Sequence, residues 1–252
     1  MSNMLPSKLG KEPLIDVVFE IRFTAALPAG GLLPGLVLPL ATAPPTLEAL
    51  PASQLPAVLR DQQPDLRHVA LLKMTLDEEF VVLFGDRSMA VGCVMPYVGW
   101  AKFKAMILRI FGVLRSAPFI TKIERHSLKY VDFFPTDHYS LRGLEFFNLN
   151  MQLGQRKIKT ETTFLRSEFL EEPFLHAVSI TSKAKLTTVK TGSISEGSVL
   201  DVDTHCVRDF SNLNEFLSEL PDLTEKIHDA NKSFFFGCLS ETGLKELEPK
   251  YE

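Results

Sequence analysis

The sequence predicts an α+β fold, in which antiparallel sheets pack against helices and the C-terminal end is helical. Several runs of strand-forming residues follow one another across short turns, as in antiparallel meanders. Helical periodicity is confined to one segment near the middle and one at the end. That leaves too few crossover helices for a doubly wound parallel sheet. We expect one domain over residues 1–252; the alternative is two halves, 1–135 and 136–252, each a meander followed by a helix.

The first half begins with a strand and a proline-rich segment. Residues 17–23 alternate apolar and charged side chains, which is typical of a half-buried strand and places Glu20 and Arg22 on one face. Residues 24–64 hold eight of the sixteen prolines and many leucines, so we expect an irregular segment with short turns. Strands are then predicted over three ranges separated by short polar turns: 68–76, 80–84 and 88–94.

One helix and one long strand complete the first half. The helix is predicted over residues 100–115, because Phe103, Ile107 and Ile110 recur on one face. Pro118 ends it, and a strand is expected over residues 120–134.

The second half is predicted to contain three more strands and then helices. The strands are expected over 157–169, 175–183 and 198–207. A helix over residues 213–220 is expected to stop at Pro221, and Asp222 to Glu225 reads as a capping box for the next helix. A short last helix is expected over 241–247.

Composition and charge exclude several classes of protein. Three widely spaced cysteines fit neither a disulfide framework nor a zinc knuckle, and together with the lack of a secretory signal they predict a cytoplasmic protein. Prolines interrupt the apolar stretch 25–43, so no membrane span is expected. Residues 100–190 carry 15 Lys and Arg against 8 Asp and Glu, whereas residues 191–252 carry 5 against 13. We expect these two segments to neutralise each other, which disfavours nucleic-acid binding through the basic middle segment.

Five spaced motifs resemble a sporadically distributed, uncharacterised bacterial family of about this length. They are the strand 13–23 ending in Glu-Ile-Arg-Phe, the Gly-Trp-x-x-Phe helix start at 99–103, the strand 125–134 with Arg-x-x-Leu-Lys-Tyr, the strand 200–203, and a final helix with His228 and the phenylalanines 234–236. Asp132 stands where the family more often has Asn, and segment 24–64 is unusually rich in Pro and Leu. The resemblance implies a cytoplasmic α+β protein of patchy inheritance, and it supplies no catalytic residues.

A ligand site could be built on the long strand 120–134. Glu124, His126, Leu128, Tyr130 and Asp132 are predicted to share one of its faces, with Arg125, Ser127 and Lys129 on the other. An anionic ligand such as a nucleotide could be bound, between the sheet and the helices, by a set of four residues: Arg22, Arg125, Lys129 and Tyr130. The alternative is that these charges pair with neighbouring strands.

A metal site is the other candidate. Asp201, Asp203 and His205 project from one face of a predicted strand, and two carboxylates with an imidazole would suit a divalent cation. The alternative is an exposed strand face opposite core residues. No other cofactor is indicated.

No nucleophile elbow, P-loop or Rossmann fingerprint is present. We therefore expect a non-enzymatic cytoplasmic interaction protein with a protein partner or a homo-oligomeric state, such as an accessory subunit of a bacterial complex in phage defence or toxin control. The alternatives are the nucleotide- or anion-binding protein or metal-dependent enzyme described above, and nucleic-acid binding through residues 100–190.

Overall fold

The computed structural model describes residues 5–187, 192–206 and 208–251, and it confirms the α+β class. The strands are β1 Lys8–Leu9, β2 Leu14–Ala25, β3 Thr46–Ala49, β4 Leu72–Leu76, β5 Phe80–Phe84, β6 Ser88–Cys93, β7 Ile120–Pro135, β8 Met151–Leu153, β9 Arg156–Ile158, β10 Phe164–Glu171, β11 Phe174–Thr187, β12 Ile194–Cys206 and β13 Pro249–Lys250. The helices are α1 Leu33–Val37, α2 Ala57–Gln62, α3 Trp100–Gly112, α4 Leu213–Cys238 and α5 Glu241–Glu246.

Nine of these strands form one antiparallel sheet in the order β10-β11-β12-β7-β2-β6-β5-β4-β3. The two strands with the most distinctive sequences, β2 and β7, are neighbours at its centre. Helices α3 and α4 cover one face, which we call the inner face; the opposite face is the outer face. Phe19, Ile21 and Phe23 of β2 point to the inner face and are fully buried, as the alternation of β2 predicts.

Helix α4 differs from the prediction, because it runs without a break through Pro221. Proline removes one backbone hydrogen bond and usually ends or kinks a helix. Here the ring points to solvent, while Leu217 and Leu220 before it and Leu223 after it are buried in the same core. Tertiary packing on both sides of the proline outweighs its local cost, so the predicted capping box at Asp222 does not form a helix start.

The proline-rich segment 24–64 forms turns, short helices and one short strand. It contains two short helices, α1 and α2, and its strand β3 pairs with β4 to form one edge of the sheet. No helix in the described ranges is long and apolar enough to span a membrane.

The basic middle segment is paired with the acidic C-terminal segment at several points. Four ion pairs join them: Lys104–Glu225 at 2.6 Å, Lys122–Asp209 at 2.8 Å, Arg125–Asp203 at 3.1 Å and Lys129–Asp201 at 2.7 Å. The uneven charge seen in the sequence is thus partly compensated inside the fold.

Candidate functional site

The structure separates the four residues predicted to bind an anion. Arg22, Arg125 and Lys129 lie on the outer face, where Arg22 is paired with Glu20 at 2.6 Å and the other two bind the carboxylates of β12. Tyr130 lies on the inner face, against helix α4. A single site using all four residues would need side chains from both faces of the sheet.

The three predicted metal ligands do share the outer face of β12. The carboxylates of Asp201 and Asp203 are each bound to a basic side chain of β7, and Nδ1 of His205 lies 3.9 Å from Asp203 Oδ2. Burial, followed by the charge of Arg125, lowers the pKa of His205. Among the described residues no three such side chains converge in a way that could hold a metal ion.

A β-bulge in β7 changes the predicted face of Glu124. The pairing of β2 with β7 shifts by one residue between Arg22 and Phe23, which leaves Glu124 without a directly opposite partner. Its carboxylate accepts a hydrogen bond from Thr24 Oγ1 at 2.6 Å and lies near Arg67. His126 keeps the predicted inner face and is fully buried. The predicted alternation of side chains between the two faces therefore holds only after the bulge, from Arg125 onward.

A cavity of about 590 Å³ opens between the inner face of the sheet and the helices. Its walls are the N-terminal segment from Pro6 to Leu14, the inner face of β7, the start of α3 and the middle of α4. The polar and aromatic side chains that line it are those of Ser7, Lys8, Glu12, Tyr97, Trp100, Tyr130, Asp132, His228, Asn231 and Lys232. Gly99 precedes α3 with φ of +86°, a backbone conformation that favours glycine and turns the chain so that Trp100 begins the helix beside the cavity.

Asp132 is the most unusual of these groups. It is 4% exposed, it lines the cavity, and no described residue makes a hydrogen bond to its carboxyl group. Burial, helped by the negative charges of Glu12 and Asp201, raises the pKa of Asp132 from 3.8 to about 8. At neutral pH this side chain is therefore mainly a neutral carboxylic acid, which can both donate and accept a hydrogen bond.

A short chain of polar aromatic groups stands beside Asp132. Tyr97 Oη lies 3.4 Å from Tyr130 Oη, which in turn lies 3.2 Å from His228 Nδ1. Burial, followed by the charge of Lys232, lowers the pKa of His228 to about 4. The imidazole is therefore neutral at pH 7 and can accept the Tyr130 proton at Nδ1. Burial also raises the pKa of both tyrosines, so both stay neutral.

Helix α4 is held in place so that these side chains stay in register. The ring of Trp100 stacks on His228 with centroids 3.9 Å apart, and its Nε1 donates to Glu225 Oε2 at 2.9 Å. One turn further on, the two N–H groups of Asn231 Nδ2 are shared among three acceptors: Leu128 O at 3.1 Å, Val202 O at 3.0 Å and Thr204 Oγ1 at 2.9 Å. Glu225 thus contacts α3, whereas His228 and Asn231, three residues apart, face the sheet.

Tyr130 and Asp132 share one face of β7, as the sequence predicted. Tyr97 was not predicted to belong to a site, and His228 was named only as part of the resemblance to a bacterial family. The available signal was the 3.6-residue period of α4, which puts His228 on the same side as the buried residues Thr224 and Asn231. What could not be read from the sequence was the distance between α4 and β7 at this point.

No protein-family model matches this chain, and no curated protein matches it.

Proposed function

We propose that the protein binds a small basic ligand, one with N–H groups on an amine or amidine nitrogen, in the cavity beside Asp132. The observation that supports this is a buried carboxyl group that faces the cavity and has no hydrogen-bond partner in the described part of the chain. The carboxyl oxygens are not among the fully enclosed unpaired side-chain atoms of the described residues, so they are open to the cavity, where water or a ligand can bond to them. A ligand N–H group would satisfy Asp132.

The carboxyl group of Asp132 itself favours a cation over an anion, whereas Lys8 and Lys232 carry positive charge elsewhere in the cavity lining. A protonated nitrogen next to Asp132 would lower the pKa of its carboxyl, so binding would ionise the acid and form a charge-assisted hydrogen bond. Glu12 contributes a second carboxylate at the cavity rim, and the rings of Tyr97 and Trp100 offer faces for a cation. A volume of about 590 Å³ lies within the range of small-molecule sites.

The test is calorimetric titration of the protein with a panel of amines and amidines, using carboxylates and phosphates of similar size for comparison. We expect basic compounds to bind and to release protons from Asp132 at pH 7, which is measured by repeating the titration in buffers of different ionisation enthalpy. Asp132→Asn should abolish the proton release. Asp137→Asn, at an exposed position in the turn after β7, should leave it unchanged. Preferential binding of the acidic compounds would refute the proposal.

We also propose, as a second function, that the chain is a non-enzymatic interaction protein, an accessory subunit of a bacterial complex. Its support is an uncovered edge strand, β10, with the exposed apolar side chains Phe164, Phe169 and Leu170. The sequence resemblance suggests phage defence or toxin control as the setting, and the cytoplasm as the compartment. Purification of the tagged protein from its host, followed by native mass spectrometry, tests this: a bare monomer would contradict it.

A further inference from the structure

We infer that strand β10 pairs with β10 of a second copy of this chain, so that two nine-stranded sheets join across a twofold axis at Ser167. The inference names the partner of the interaction proposed above and therefore rests on that proposal. It is independent of the ligand in the cavity. Four features of the strand lead to it: its exposure, its contrast with the opposite edge, the direction of its free backbone groups and its sequence.

Strand β10 is an open edge of the sheet. It is the first strand in the sheet order, and within the described ranges it is paired only with β11. Phe164 is 69% exposed, Leu170 61% and Phe169 48%. An exposed edge with large apolar side chains offers both backbone hydrogen bonds and apolar contacts to another strand.

The opposite edge, strand β3, is protected in the usual way. It has four residues and lies between Pro45 and Pro51. Proline cannot donate a backbone hydrogen bond, so it limits pairing at an edge. Strand β10 has eight residues and no proline. The chain thus blocks one edge and leaves the other open.

The hydrogen bonds to β11 determine which backbone groups of β10 are free. Ser182 N donates to Thr163 O at 3.0 Å, and Phe164 stands opposite Thr181. In an antiparallel pair, bonded and non-bonded positions alternate. The odd-numbered residues of β10 therefore bond to β11, and the N–H and C=O groups of Phe164, Arg166, Glu168 and Leu170 point away from the sheet. An added strand must bond to these even-numbered residues.

Only one register places opposite charges at facing free positions within β10. A twofold axis at Ser167 places Arg166 opposite Glu168 of the second copy and Phe164 opposite Leu170 of the second copy, and all of these are free even-numbered positions. An axis at Arg166 or at Glu168 also satisfies the backbone, but it places two like charges directly opposite each other. An axis between residues would pair free groups with groups already bonded to β11.

The two faces of the joined sheets also match. Phe169 lies on the inner face, where its ring is 5.5 Å from that of Phe234 in α4, and the register places Leu165 of the second copy opposite it. Arg166 and Glu168 lie on the outer face, where they form an ion pair at 3.4 Å within one strand. In the dimer the same charges pair across the axis. One ion pair of Arg166 with Glu168 therefore lies on each side of Ser167. Beyond each ion pair, further from the axis, lies an apolar pair of Phe164 with Leu170.

The experiment is light scattering after size-exclusion chromatography, with charge reversals that exchange partners. We expect the wild-type protein to be a dimer. R166E and E168R should each weaken the dimer by about tenfold or more, because each places like charges opposite each other twice. The double variant R166E/E168R should dimerise again. An equimolar mixture of the two single variants should form heterodimers, since each chain then carries only one sign of charge.

A matched control is E48K in the opposite edge strand β3, where Glu48 pairs with Lys73 at 3.4 Å; it should leave the dimer unchanged. A monomeric wild-type protein, or a dimer that survives both single reversals, would overturn the inference. If the recombinant chain is monomeric but binds a different protein in its host, the self-pairing is wrong and the wider interaction proposal stands. If both measurements give a bare monomer, both proposals fail.

Discussion

Replacing Asp132 with Asn should make the protein more stable at high pH and leave its stability nearly unchanged at low pH. In the folded protein the pKa of Asp132 is raised from 3.8 to about 8 by burial. The folded state therefore binds more protons than the unfolded state between these two pH values, and the free energy of unfolding falls as pH rises through that window. Asn carries no charge at any pH and removes this dependence.

The size of the effect follows from the two pKa values. Each pH unit between them contributes about 1.36 kcal/mol, so the interval from 3.8 to about 8 corresponds to a loss of roughly 6 kcal/mol in the wild-type protein by pH 9. That loss is comparable to the whole stability of many domains. The difference between the variant and the wild type should be near zero at pH 4 and should approach this value above pH 8.

Urea denaturation from pH 4 to pH 9 measures the difference. Taking it between variant and wild type cancels the contributions of other titrating groups, among them the buried histidines. Asp137→Asn is the matched control, because its carboxylate is exposed and its substitution should change the free energy of unfolding little at any pH. A difference between Asp132→Asn and wild type that does not vary with pH would refute the reasoning, because it would mean that Asp132 titrates alike in both states.

Two further predictions concern buried polar groups on the inner face. His126 is fully buried among Phe19, Phe210 and Phe216, neither ring nitrogen has a hydrogen-bond partner in the described residues, and burial lowers its pKa to about 4. His126→Phe should therefore raise the free energy of unfolding by about 1–3 kcal/mol and remove part of the stability loss as pH falls from 6.5 to 4, in denaturation curves measured across that range; a destabilised variant would contradict this. Asn231→Ala should lower the free energy of unfolding by about 2–4 kcal/mol, because two carbonyl groups and a hydroxyl lose their donor. The control Asn214→Ala, at an exposed position on the same helix, should lower it by under about 1 kcal/mol. Equal effects of the two substitutions would contradict a stabilising role for the buried network.

The sequence predicted the parts of the fold that depend on local pattern. The alternation in β2 and the period of α3 follow from which side chains must be buried, so these elements could be placed from the order of apolar and polar residues alone. The continuity of α4 through Pro221 could not, because it depends on core contacts made on both sides of the proline. The bulge at Glu124 depends likewise on the pairing of β2 with β7, which a single strand does not show.

Only part of the candidate site could be predicted from the sequence, because most of it depends on contacts between segments that are distant in the chain. The shared face of Tyr130 and Asp132 is a property of one strand, and it was correct. The cavity itself requires Tyr97 and Trp100 at the start of α3 and His228 in α4, and only tertiary packing brings these two places in the chain to β7. Arg125 and Lys129, which were predicted to bind an anion, are paired with carboxylates of β12 on the outer face.

A carbon-13 NMR titration of the Asp132 carboxyl group tests most directly whether this side chain is a neutral acid in the free protein and ionises when a basic ligand binds. Assignment would come from comparison with Asp132→Asn. The account predicts a pKa near 8 in the free protein and a clear decrease when a basic ligand is bound. A pKa near 4 in the free protein would contradict this prediction, because the carboxyl group would then be solvated or already paired. It would then not need a hydrogen bond from a ligand.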